Sequence, residues 1–176
     1  MVVGAQARDI DTVIIGSGPG GYVAAIRAAE LGQKVTLVER DNIGGVCLNI
    51  GCIPSKALIN VGHHYREAIS DTPFGLKTTE TSLDWSKTQD WKQNTVVHAL
   101  TSGVEMLLKK HQVEIIKGEA TFNDNETINV VQEDGHELFQ FNNAIIATGS
   151  RPIEIPGFVF SGRIIDSTGA LSLQEI

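Results

Sequence analysis

The sequence predicts an α/β chain built on a parallel sheet, and three observations carry the prediction. An apolar run, a glycine-rich turn, a helix rich in small residues and a second apolar run follow one another within residues 12 to 39. That is one βαβ unit, whose crossover implies parallel strands. A carboxylate, Glu39, closes the second run 18 positions after Gly21, and short apolar runs follow an amphipathic stretch farther on. Together they describe a Rossmann-like domain with flanking helices and a small antiparallel meander.

Each element has its own warrant. "TVIIG" (12–16) reads as a buried strand and "PGGYVAAIRAAEL" as a helix that Gly32 stops. "KVTLVE" (34–39) is the second strand. Pro54 suits the first turn of a helix reaching Ile69, with Ala57, Leu58, Val61 and Tyr65 on its inner side. Residues 71–84 are polar and turn-rich, so a loop is expected. From Trp85 to Lys110 the pattern is helical, with Val97, Leu100, Val104, Leu107 and Leu108 at spacings of three and four. Lys109 and Lys110 suit the C-terminal end of that helix. "VEII" (113–116) returns to the parallel sheet. "EATFN", "TINVVQ" and "ELFQF" read as short strands, with Asp134-Gly135 as a hairpin turn, and "NAIIATG" (143–149) as a further buried strand.

Bulk properties exclude several classes. The chain has 176 residues and a formal net charge of −7, which argues against a nucleic-acid partner. No uninterrupted apolar run approaches the roughly 18 to 20 residues of a membrane span. "MVVGAQARDID" lacks a basic segment followed by a long apolar one, so a secretory signal is not expected. The expected compartment is the cytoplasm, where structural disulfides are rare.

The turn Gly16-Ser17-Gly18-Pro19-Gly20-Gly21 contains G-x-G-x-x-G. In this motif the first glycine makes the tight turn, the second lets a pyrophosphate approach the backbone, and the third lets helix and strand pack closely. The helix start offers free N–H groups to the phosphates, and Glu39 is placed to accept ribose hydroxyls. A dinucleotide site follows. The motif alone does not choose between NAD and FAD.

The two cysteines, Cys47 and Cys52, lie five positions apart in "GGVCLNIGCIPSK". A zinc site needs about four ligands, and the five histidines (63, 64, 98, 111 and 136) are scattered, so no metal is expected. A structural disulfide would close a loop of few residues and gain little. A redox pair fits better, because helix starts and nearby cations favour the thiolate, and Lys56 lies one turn beyond Cys52. Such a pair needs a two-electron partner, which the nucleotide site supplies if the nucleotide is FAD.

"IIGSGPGGYVAAIRAAELGQKVTLVER", "GGVCLNIGCIPSKAL" and "NAIIATGSRP" together resemble the flavoprotein disulfide reductases over essentially the whole chain. "CLNIGCIPSK" is nearer the branch that oxidises dihydrolipoamide than the glutathione or mercuric reductases. The resemblance implies that residues 1–149 are the N-terminal part of an FAD-binding domain with a redox disulfide. Residues 150–176 would be a linker and the start of an NAD-binding domain. It implies that Gly16, Gly18 and Gly21 receive the FAD pyrophosphate and Glu39 the adenosine ribose, with Pro19, Gly20 and Arg40 also binding the cofactor. Gly45 and Val46 would line the cofactor, Gly118 and Ala120 would flank the adenine, and Thr148 and Gly149 would lie near the cofactor. Cys47 would be the outward interchange thiol, Cys52 the thiol facing the flavin, and Lys56 the neighbour of flavin N5.

The implied reaction oxidises dihydrolipoamide through the Cys47–Cys52 disulfide and FAD, with NAD⁺ as final acceptor. The implied partners are the lipoyl domain and the core of the E2 acyltransferase of a 2-oxo acid dehydrogenase complex, with a homodimer at full length and no membrane. Family members are more than twice as long, with an NAD domain and an acid/base His-Glu pair that this sequence lacks. The chain is therefore expected to be an N-terminal fragment, inactive alone. Rival readings are another reductase of the family and a nucleotide-binding module without catalysis.

Overall fold

The structure, a computed structural model, describes residues 7–176. Most of the N-terminal stretch read for a secretory signal therefore lies outside the described residues. The chain divides into two compact units, Met1–Cys47 with Thr101–Ser150 and Leu48–Leu100 with Arg151–Ile176.

The first unit holds a six-stranded sheet. Its strands are β1 (Arg8–Ile15), β2 (Val35–Glu39), β3 (Glu114–Lys117), β4 (Glu119–Phe122), β5 (Thr127–Gln132) and β6 (Gly135–Ile146), in spatial order β3-β2-β1-β6-β5-β4. The pairs β3–β2, β2–β1 and β1–β6 are parallel, and β6–β5 and β5–β4 are antiparallel. The parallel core and the small meander are thus both present. Helix α1 (Pro19–Glu30) packs on β1 and β2, and Gly32 follows it with φ +84°.

Ile10, Val13, Val38, Ile116, Ile128, Val130, Phe139 and Phe141 form one buried cluster. Neighbours on a strand point to opposite faces, which leaves the register pair Ile14 and Leu37, both fully buried, for the other face. Burial on both faces explains why β1 and β2 read as continuous apolar runs.

Three expectations need correction here, the first being burial of the "NAIIATG" strand, whose residues Asn143 to Ile146 are exposed. "ELFQF" and "NAIIATG" are not separate strands. They run together as β6, which pairs with β5 from Gly135 to Gln140 and with β1 from Phe139 to Ile146. The polar Asn142-Asn143 is tolerated within the strand because both side chains are exposed. They donate to Asp11, Asn142 to its carboxylate and Asn143 to its carbonyl. The hairpin turn is also one residue earlier than expected: Gln132 pairs with Gly135, so Glu133 and Asp134 form the loop.

The second unit is helical. Helix α2 (Gly45–Ile50) begins in the first unit and ends here, followed by α3 (Cys52–Ile69). Then come α4 (Trp85–Asp90), a π-helical stretch over Trp91–Val97, and α5 (His98–Lys110), which continues into the first unit. The predicted helix over 85–110 is present, but the wide π turns shift the buried stripe. Val97, Val104 and Leu108 are buried, whereas Leu100 and Leu107 are exposed. In α3 the expected inner side is narrower: Ala57 is buried, Leu58 and Val61 are half-buried and Tyr65 is exposed.

Gly45–Ile69 taken together is long and apolar enough to cross a membrane by length and composition, with 17% of the window buried. Gly51 interrupts it, and Lys56, His63 and His64 lie within it. Helices of soluble proteins share that composition.

The C-terminal arm is pinned inside the second unit. The Trp85 indole and Gln89 amide donate to the Leu173 carbonyl at 2.8 and 3.0 Å. Lys92, 5% exposed, donates to the Leu171 carbonyl at 2.6 Å and to Gln89 Oε1 at 2.5 Å. These donors tie down α6 (Ser167–Leu171), whose start is capped by the Asp166 carboxylate.

Candidate functional site

Parallel pairing brings the carboxyl ends of four strands to one edge. Ile15 lies in register with Val38 and Ile146, and Glu39 with Lys117. Gly16, Glu39, Gly118 and residues 147–149, distant in sequence, therefore leave the sheet together. The strand order reverses at β1, with β2 on one side and β6 on the other. Open α/β sheets bind ligands at such a point.

The motif glycines divide by what demands them. Gly16 has φ +96°, and a Cβ there would stand 2.4 Å from the Ala147 carbonyl oxygen. A Cβ on Gly21 would stand 1.8 Å from the Gly16 carbonyl oxygen. Both glycines are required by the fold itself. Gly18 differs: its φ of −65° and ψ of −179° suit any residue, and a Cβ there would meet nothing within 4 Å. It caps α1 without a side chain, and Pro19 follows in the first turn. A Gly20 Cβ would touch only the Ala147 methyl, at an ordinary 3.9 Å.

Glu39 is half-buried and held on both oxygens. Its Oε2 accepts from Ser17 N–H at 2.8 Å and from Ser17 O–H at 2.5 Å, while Oε1 accepts from Asp41 N–H at 2.8 Å. A carboxylate has about four acceptor positions, so Oε1 keeps one. Arg40 is exposed and paired with Asp41 at 3.1 Å, and this hydrogen bond raises its guanidinium above its ordinary value.

Gly118 N–H donates to the Glu39 carbonyl at 3.0 Å, which sets the joint between β3 and β4 beside the end of β2. Its missing side chain is required, since a Cβ would lie 2.5 Å from the Val131 carbonyl oxygen. Ala120, half-buried, packs against the sheet's buried cluster. The Thr148 Cα would be 3.3 Å from a Gly16 Cβ, and Gly149 has φ +69°.

The segment carrying the cysteines is more ordered than expected. Cys47 lies in α2, entered through Gly44 and Gly45 at φ +95° and +59°. A Cβ on Gly45 would stand 2.6 Å from the Gly18 Cα, so the start of α2 lies directly on the glycine turn. Val46 is exposed. Both cysteines are thiols here, Cys47 half-buried and Cys52 exposed. This exposure order is the reverse of that expected from an outward Cys47. Cys47 lies inside the short helix beside the buried Leu48, whereas Cys52 opens the first turn of α3. Cys52 and Lys56, four apart and both exposed, share one face of α3.

The first unit thus brings together Gly16, Gly18, Gly21, Glu39, Gly45, Gly118 and Thr148. Cys52 and Lys56 belong to the second unit. Sequence reasoning missed Ser17, which is fully buried and holds Glu39, and whose Oγ and carbonyl both receive Gly44 N–H at 3.2 and 3.1 Å. The doubled Gly44-Gly45 was the visible signal of a close backbone approach; nothing in the sequence singled out Ser17.

Comparison with known proteins agrees with this geometry. Residues 10–176 match the family described as pyridine nucleotide-disulphide oxidoreductase. The chain is 58% identical over its whole length to a dihydrolipoyl dehydrogenase of Geobacillus stearothermophilus, of which it covers 37%. It is 55% identical to that of Bacillus subtilis, again over the whole chain and 37% of the relative. Among solved structures it resembles the Cu(II) complex of the HOCl-induced flavoprotein disulfide reductase RclA from Escherichia coli. The TM-score is 0.79 at 29% identity, over 96% of this chain and 35% of that one. The chain spans little more than a third of the curated relatives it matches. With the family match running from Ile10 to Ile176 and the glycine turn folded as above, this chain belongs to the pyridine nucleotide-disulphide oxidoreductases.

Proposed function

We propose that this chain is the FAD-binding and thiol-exchange part of a dihydrolipoyl dehydrogenase of the relatives' length, oxidising dihydrolipoamide and reducing NAD⁺. One observation carries the cofactor reading. Gly18 is a glycine that neither backbone strain nor packing requires, at an uncapped helix start on the carboxyl edge of the sheet. A phosphate group drawn close to that backbone is what would need the missing side chain. The acceptor position left on Glu39 Oε1 suits a ribose hydroxyl.

In this reading Gly16, Gly18, Pro19, Gly20 and Gly21 receive the pyrophosphate, and Glu39 and Arg40 the adenosine. Gly45, Val46, Gly118, Ala120, Thr148 and Gly149 line the remainder, with Lys56 near the flavin. Residues 1–149 form the cofactor part and 150–176 lead to an NAD domain. When bound, FAD supplies the two-electron acceptor that the cysteine pair requires.

The residues' own chemistry is thiol–disulfide exchange. A dihydrolipoamide thiolate attacks Cys47 Sγ of the oxidised pair, and Cys52 leaves as a thiolate. The second dihydrolipoamide thiol then displaces Cys47, releasing lipoamide and leaving both cysteines reduced. Two electrons have passed to the pair; the second substrate thiol's proton goes to Cys47, and the proton lost in forming the attacking thiolate goes to the base in the rest of the protein. Roles are assigned by resemblance. The NAD site and the acid/base pair belong to the rest of the protein. Its partners are the lipoyl domain and core of an E2 acyltransferase, it forms a homodimer, and its compartment is the cytoplasm. Identity of 58% to dihydrolipoyl dehydrogenase, against 29% to RclA, favours dihydrolipoamide over another disulfide substrate.

The test is a dihydrolipoamide titration of the full-length protein followed by visible absorption. Oxidised flavin should give way to a long-wavelength band, with NADH formed when NAD⁺ is added. A flavin that dihydrolipoamide cannot reduce would overturn the substrate assignment.

A further inference from the structure

From the hydrogen bonds around Ser17 we infer that its hydroxyl is a positioning residue for cofactor recognition, aiming Glu39 at the ribose. The inference rests on the FAD reading above and goes beyond the glycine motif. Ser17 occupies a variable position of G-x-G-x-x-G, yet its side chain is fully buried. Its hydroxyl donates to Glu39 Oε2 at 2.5 Å, its N–H donates to the same oxygen at 2.8 Å, and its Oγ accepts from Gly44 N–H at 3.2 Å. The Asn42 carbonyl lies 3.4 Å from the same Oγ.

The consequences are directional. Two donors on Oε2 saturate that oxygen and fix the carboxylate's rotation. Asp41 N–H takes one position on Oε1, so the remaining acceptor has a set direction. Without the hydroxyl, Oε2 keeps one donor, and the carboxylate can turn and take solvent instead. Gly44 is the residue before α2, so Ser17, through its hydroxyl and its carbonyl, ties the glycine turn to the helix that carries Cys47. Ser17 touches neither ligand nor reacting sulfur. It acts through Glu39, since Gly44 N–H also donates to the Ser17 carbonyl at 3.1 Å and keeps that bond without the hydroxyl.

The experiment compares full-length wild type and Ser17→Ala for binding of FAD and of an FAD analogue lacking both adenosine ribose hydroxyls. If Ser17 acts through Glu39, the variant should bind FAD roughly tenfold more weakly, as for one lost charge-assisted hydrogen bond. It should bind the dideoxy analogue as wild type does, because that ligand gives Glu39 nothing to accept. Equal loss for both ligands would show a merely structural serine and overturn the inference while leaving the FAD reading intact. Unchanged FAD affinity would also overturn it. A folded wild type that binds no FAD would overturn both. If Ser17→Ala does not fold, Ser17→Gly removes the same hydroxyl, and failure of both variants to fold would assign it to folding alone.

Discussion

Replacing each of two motif glycines by alanine separates the fold's requirements from the ligand's. In Gly21→Ala the new methyl carbon would stand 1.8 Å from the Gly16 carbonyl oxygen, where ordinary contact begins at 3.4 Å. Helix α1 must therefore retreat from the end of β1 by about 1.6 Å, the difference between those distances. The obstacle is backbone, and Gly16 is itself tied to β2 through the Val38 carbonyl at 2.8 Å. Overpacking of this kind costs about 3 kcal/mol. For a domain of this size that lowers Tm by about 6–12 °C.

Gly18→Ala meets nothing within 4 Å, so its cost is that of an N-cap exchange, within about 1 kcal/mol. Thermal unfolding of both variants, with flavin content measured alongside, checks the distinction. Gly21→Ala should lose stability and flavin together, and Gly18→Ala should lose flavin with its fold intact. A Gly18→Ala protein that keeps full flavin, or a Gly21→Ala protein as stable as wild type, would refute the reasoning.

Further predictions concern the cysteines and the charged groups. Cys47→Ser should lose thiol exchange with dihydrolipoamide yet keep the long-wavelength band, while Cys52→Ser should lose the band; identical behaviour would contradict the assigned roles. Glu137 is held below its ordinary 4.5 chiefly by the hydrogen bond from Arg8, then by that from Gln132. It thus stabilises the fold above that value and ceases to do so as pH falls through its lowered pKa. Glu137→Gln should flatten the acid limb of a stability–pH curve, and an unchanged limb would count against the pair. Burial pushes the Lys92 ammonium below 10.5, so the unfolded chain holds its proton to higher pH and stability rises as pH climbs from the lowered value toward 10.5. Lys92→Met should abolish that rise and loosen the backbone at Leu171, read as faster proteolysis there, at about 1–3 kcal/mol.

The legible part of this molecule was its local grammar. Strand, glycine turn, helix and acidic strand end are set by short-range sterics, and they appear where the sequence put them. The joined β6 was not legible, because only the pairing with β5 over Gly135–Gln140 and with β1 over Phe139–Ile146 makes one strand of two apolar runs. The π turns over Trp91–Val97 leave no composition signal, so the predicted stripe misplaced Leu100 and Leu107. Ser17 was hidden for a different reason. Its importance comes from Glu39 and Gly44, which lie 22 and 27 positions away and meet it only after the sheet has formed. Lys92 reads as a surface cation in a helix, and only its reach to Leu171 explains its burial.

The central claim is that this glycine turn holds FAD through its pyrophosphate and ribose. Equilibrium titration of full-length apoprotein with FAD, followed by flavin fluorescence, tests it most directly. The account predicts saturable binding of one FAD per chain in the wild type and none in folded Gly18→Ala. Wild-type protein that captures no flavin, or Gly18→Ala that captures it equally well, would contradict the claim.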